Sequence, residues 1–132
     1  MWKKIKKWLL SKVEDLLMKE IDKLDKYEVM LIELLRENID ADEKAAKIVK
    51  TAKVELTKAI DKAFAWKWLS SKILGKAKSA MITEVKSLSK YEPVIAGLIE
   101  DQLDKAEELA PKLVNMAQDY LKVMVAKYIK KI

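Results

Sequence analysis

At 132 residues the chain is long enough for one domain that buries roughly two-thirds of its unfolded surface, and half of its residues are apolar while more than a third are charged. It contains two glycines, two prolines, no cysteine and no histidine, which excludes disulfides, thiolate metal sites and the usual general base at neutral pH. The net charge of +6 is carried by lysine, with Arg36 the only arginine; sequence-specific nucleic-acid reading favours guanidinium groups and is a poor fit.

The first segment sets Trp2, Ile5, Leu9, Val13, Leu16, Leu17, Ile21 and Leu24 at steps of three and four, one apolar stripe of an α-helix. Lys3, Lys4, Lys6, Lys7 and Lys12 share its other side, and no acid interrupts Trp2 to Val13. Asp25-Lys26-Tyr27-Glu28 puts a capping side chain three residues before a glutamate, which predicts a second helix running to about Ile39. Asp40-Ala41-Asp42-Glu43 repeats the device and opens a third, with Ile48, Val49, Ala52, Leu56, Ile60 and Phe64 on its apolar face. No strong breaker separates Phe64 from Trp66, so this helix is expected to continue with a kink near Ser70-Ser71. The stripe then returns as Trp66, Leu69, Ile73, Ala77, Ala80, Met81, Val85 and Leu88. Ser89-Lys90-Tyr91-Glu92 and Asp104-Lys105-Ala106-Glu107 mark two further helix starts, and Pro111 predicts a kink or restart in the last helix.

These echoes are a tandem duplication. Residues 2–46 align without a gap on 66–110, so that Trp2, Lys12, Glu20, Tyr27, Leu34 and Asp40 meet Trp66, Lys76, Glu84, Tyr91, Leu98 and Asp104. Beyond Ala46 the match resumes after one extra residue near Pro111. The expected fold is all-α, a helical bundle of five or six helices from a tandem duplication of a three-helix unit, with 1–64 and 65–132 as repeats packed into one compact unit. Leu34 and Leu98, being equivalent, are expected in equivalent buried environments.

For function, the basic helices with tryptophan carry the sharpest signal. Tryptophan favours the bilayer interface and lysine favours anionic headgroups, which nominates Trp2, Lys3, Lys4, Lys6, Lys7, Trp8, Trp66, Lys67, Trp68 and Lys72 as a membrane-binding set. The competing reading makes Trp2 and Trp66 core residues and the lysines a solvated face. No run of apolar residues approaches the roughly 18–20 needed to span a bilayer. The second helices are acidic, with Glu28, Glu33 and Glu37 answered by Glu92, Glu100 and Asp101. A structural reading follows, in which basic first helices meet acidic second helices of a neighbour in a homo-oligomer or a nucleic-acid or virion coat. Gly75-Lys76 lacks the glycine spacing of a phosphate loop, and the paired carboxylates read as caps, so neither enzymatic activity nor a cofactor or metal is expected. Met1-Trp2-Lys3-Lys4-Ile5 has the charge of a secretory n-region, but Glu14 and Asp15 cut off the apolar stretch. The expectation is export without a classical signal peptide, or a peripheral place on a membrane.

The stretch Tyr91-Glu92-Pro93-Val94-Ile95-Ala96-Gly97-Leu98-Ile99, followed by Leu103-Asp104-Lys105-Ala106-Glu107, resembles the second half of a saposin-like domain. Tyr27 to Leu35 and Asn38 to Glu43 carry a weaker version. The basic helices are also similar to those of leaderless and circular bacteriocins. This resemblance implies a cysteine-free saposin-like bundle that interacts with membranes and has antimicrobial activity.

Overall fold

Capping side chains decide some of the helix starts and the core decides the others. The computed structural model describes residues 2–65, 72–102 and 104–130. Helix α1 (Trp2–Asp22) passes through a 3-10 segment (Lys23–Tyr27) into α2 (Glu28–Leu35), and α3 follows at Ala41–Ala63. In the second repeat α4 (Lys72–Lys86) passes through a 3-10 segment (Ser87–Tyr91) into α5 (Glu92–Asp101), and α6 spans Ala106–Lys130. The Asp40 cap forms as its sequence implies, in extended geometry with its carboxylate accepting from the Glu43 amide at 2.8 Å. The caps expected from Asp25 and Ser89 do not form: Tyr27 and Tyr91 precede α2 and α5 in helical geometry without a side-chain cap. There the chain tightens into a 3-10 turn, which keeps Leu24 and Leu88 buried, instead of breaking.

Among the described residues the bundle has four long helices, α1, α3, α4 and α6, of 21, 23, 15 and 25 residues, and this corrects the expectation of five or six. The second helix of each repeat shrinks to 8 residues in α2 and 10 in α5. At about 1.5 Å rise per residue α2 spans only ~12 Å, about a third of α3, so it lies on the bundle and does not extend it. The long third helix stops at Ala63 with Phe64 as its C-cap; the kink expected near Ser70-Ser71 lies outside the described residues. Pro111 sits inside a single α6, so of the kink or restart expected there the helix does not restart.

The repeats interlock. Helices α1 and α4 each pack on both α3 and α6, while α2 packs on α6 and α5 packs on α3. Each short helix therefore rests on the third helix of the other repeat, in an arrangement with internal two-fold symmetry. Two equivalent polar contacts close the exchange: Gln118 Nε2 of α6 donates to the Ile21 carbonyl at 3.1 Å and to Asp25 Oδ1 at 2.9 Å, and Lys53 of α3 donates to Ser89 Oγ. Burial also fixes the register of the third helices. Ala41, Ala45, Ile48, Val49, Leu56 and Ile60 are buried, as are Ala106, Ala110, Leu113, Val114, Leu121 and Val125, each 65 positions later. The extra residue of the second repeat therefore precedes α6, absorbed by the longer α5, and is not at Pro111.

The core runs through Val13, Leu17 and Ile21 of α1, Met81 and Val85 of α4, and the facing stripes of α3 and α6. Leu34 and Leu98 do occupy matching places, but both are half-buried at its edge. Leu31 and Leu35 of α2, and Ala96 and Ile99 of α5, point inward in their stead. The correction follows from the cross-packing, which turns each short helix toward the opposite repeat.

Candidate functional site

Among the described residues the buried stripe of α1 starts at Leu9, and the two turns before it carry exposed side chains. On those turns Ile5 is 47% exposed and Trp8 53%, a large apolar surface at a helix end. Lys3, Lys4, Lys7 and Lys12 are exposed around them, and Lys6 is half-buried. The Lys12 ammonium lies 6.0 Å from the centroid of the Trp8 ring, within cation–π range. Trp2 opens the helix, but its side chain lies outside the described residues. Trp66, Lys67 and Trp68 also lie outside them, and Lys72 is described only as the first residue of α4. The structure thus brings five of the nominated residues, Lys3, Lys4, Lys6, Lys7 and Trp8, onto one helix end.

A second feature was not read from the sequence. Two apolar clefts lie on either side of the internal two-fold, sharing Ile48, Ala52, Leu56, Leu113 and Ala117 of α3 and α6. Leu88, Tyr91, Val94 and Ile95 wall the first, and their equivalents Leu24, Tyr27, Met30 and Leu31 wall the second. The chemistry of the wall changes at two positions: the first cleft has Met116 and Tyr120 where the second has Thr51 and Glu55. The first offers about 230 Å³ and the second about 70 Å³, both open to solvent on one side. In the small cleft Tyr27 donates to the Glu55 carboxylate, and that bond, with burial, pushes the Tyr27 hydroxyl up to about 12. In the large one the Tyr91 and Tyr120 rings meet edge to face, 6.2 Å apart at 73°. A repeat detected by apolar pattern draws attention to what the copies share; the signal for this site was where they differ.

Two other polar clusters hold the bundle. Glu84 of α4 accepts from Tyr128 at 2.5 Å, from Lys127 at 2.9 Å and weakly from Tyr120 at 3.4 Å, all on α6. The Tyr128 bond, then the Lys127 ammonium, hold the carboxyl below its ordinary value of 4.5. Burial, aided by the Glu84 charge, pushes Tyr120 up to about 12. Lys44, 6% exposed, is the one charged side chain buried among the described residues. Its ammonium donates to the Leu35 carbonyl at 2.6 Å, at the end of α2, where the helix dipole favours a cation. The structural register pairs Lys44 with Leu109, which explains its inward direction; the ungapped alignment pairs it with exposed Glu108.

No protein-family model, curated protein or solved structure matches this chain. The resemblance to saposin-like proteins and bacteriocins is accordingly withdrawn, and with it the antimicrobial reading. Nothing in the comparisons supports it, and a chain without cysteine has no counterpart of the disulfides that clamp saposin-like helices. The stretch that prompted it forms a 3-10 segment, the short α5 and the head of α6, so the likeness was one of helix-compatible apolar spacing. No lipid or membrane role can be inherited from it. Among the described residues no helix is long and apolar enough to cross a membrane. The chain is an all-α helical bundle with internal duplication and exposed apolar and aromatic side chains.

Proposed function

We propose that the protein binds anionic membrane surfaces peripherally through the first turns of α1. The observation that carries this reading is the exposure of Ile5 and Trp8 among Lys3, Lys4, Lys7 and Lys12 on the first turns of the helix. An indole beside lysines suits the headgroup layer, where the ring meets the acyl boundary and the ammonium groups meet lipid phosphates. The rest of the molecule acts as a rigid holder, since α1 is anchored from Leu9 onward against α3 and α6.

Co-sedimentation with vesicles of neutral and of anionic lipid tests the reading. Binding is expected to anionic vesicles at low salt and to fall as salt is raised, because attraction decays over a Debye length. Replacing Lys3, Lys4, Lys6 and Lys7 by glutamine should weaken partitioning at least thirtyfold, from about 1 kcal/mol per lysine near the surface with partial screening. Trp8→Ala should weaken it further. Equal binding to neutral vesicles refutes the proposal, as does binding that ignores the four substitutions. If the protein ignores anionic vesicles and instead forms large particles by light scattering, the function is homo-oligomeric assembly.

A further inference from the structure

We infer that the larger cleft is a binding site for one neutral aliphatic molecule of medium length. Its floor is formed by buried Val49, Leu56 and Leu88, and its mouth by Tyr91, Val94 and Met116, all exposed. An engineered apolar cavity of 150 Å³ stays dry and holds one benzene, so about 230 Å³ accommodates an apolar body of roughly nine carbons. Among the described residues the polar side-chain groups of the lining are the Tyr91 and Tyr120 hydroxyls, and since the Tyr120 O–H donates weakly to Glu84, the Tyr91 hydroxyl at the mouth is the group that suits a ligand with a single uncharged polar end.

The broken symmetry points the same way. In the small cleft Glu55 sets a carboxylate against Tyr27, and the space left is about 70 Å³. The second repeat has Tyr120 at that place and Met116 in place of Thr51, which removes the charge and leaves a cleft about three times as large. Among the described residues no charged side chain lines the larger cleft, and the carboxylate behind its Tyr120 wall, Glu84, is matched by the Lys127 ammonium at 2.9 Å. No net charge selects an ionic head, so the occupant is neutral.

Calorimetric titration of the intact protein with straight-chain 1-alkanols, without vesicles, tests this. Each added methylene should tighten binding about fourfold until roughly nine carbons, after which affinity levels off because the cleft is full. The carboxylate of the same length should bind at least tenfold more weakly. Ala117→Leu fills the shared floor and should abolish binding, with folding checked by circular dichroism. Val94→Asp, at a position 56% exposed where folding is not at stake, should weaken it at least tenfold by charging the mouth. Affinity that keeps rising with chain length, or a carboxylate that binds as tightly, overturns the inference. So does a homodimer that Ala117→Leu dissociates, since the cleft would then belong to a second copy. The α1 glutamine variant should bind alkanols like the parent protein, which separates this site from the membrane reading.

Discussion

Replacing Lys44 by methionine tests whether the structural register is the one that matters. Methionine keeps most of the aliphatic volume of the lysine stem, so packing is largely preserved and the loss falls on the ammonium. That group makes a 2.6 Å bond to the Leu35 carbonyl, which ends α2 in a place closed to bulk water. A hydrogen bond from a charged donor is worth roughly 1.5–3 kcal/mol, and an orphaned buried carbonyl is penalised by a similar amount. Removing a cation from a helix C-terminus adds a few tenths of a kcal/mol, and relief of the ammonium's own desolvation subtracts from the total. The net expectation is a loss of about 2 kcal/mol, or a fall in Tm of about 7 °C for a domain of this size. Urea unfolding followed by circular dichroism, with a thermal melt alongside, measures both. Glu108→Met, at the exposed position that ungapped alignment makes the counterpart of Lys44, should change stability by no more than about 0.5 kcal/mol. If Lys44→Met is as stable as the parent, desolvation of the ammonium cancels its bond and the argument fails.

Glu84 makes the bundle sensitive to acid. Its native pKa lies below the ordinary value of 4.5, so its contribution is complete above that pH and is lost as pH falls through the native value. Between about pH 5 and pH 3 the parent protein should therefore lose stability more steeply than Glu84→Gln, and parallel curves would contradict the assignment. Tyr27, raised from 10.0 to about 12, behaves in the opposite sense: the fold favours the neutral phenol, so its contribution is intact below pH 10.0 and is lost as pH climbs toward about 12. In a tyrosinate absorbance titration, Glu55→Gln should move one late-titrating tyrosine back toward 10.0, and an unchanged profile would mean that burial, not the carboxylate, governs it.

The features legible in the chain were those set by neighbours in sequence. Asp40 lies three residues before Glu43 and caps α3 as expected. Of the stripe expected from Trp2 to Leu24, Leu9, Val13, Leu17 and Ile21 form the buried face of α1 and Leu24 is buried in the 3-10 segment after it, while Ile5 is exposed; Ile48, Val49, Leu56 and Ile60 form that of α3. Of the candidate membrane site, Lys3, Lys4, Lys7 and Trp8 were legible for the same reason, since helical spacing puts them off the stripe that holds Leu9 and Val13. Lys44 was not: lysine counts as a surface residue until a carbonyl from another helix end is brought to it. The caps expected at Asp25 and Ser89 failed because burying Leu24 and Leu88 favours a continuous turn, a preference no local motif records.

By itself the sequence determined the helical class, the duplication and the apolar stripe of each long helix, because a period near 3.6 and the scarcity of glycine and proline act over a few residues at a time. Only the tertiary structure decided that α2 crosses to α6 and α5 to α3, where the extra residue is absorbed, and which cleft opens. Both repeats present nearly the same apolar faces, so periodicity cannot distinguish packing within a repeat from packing between repeats. That choice rests on how the volumes of side chains far apart in the chain fit together, and it placed Lys44 inside and left the cleft beside Tyr120 open.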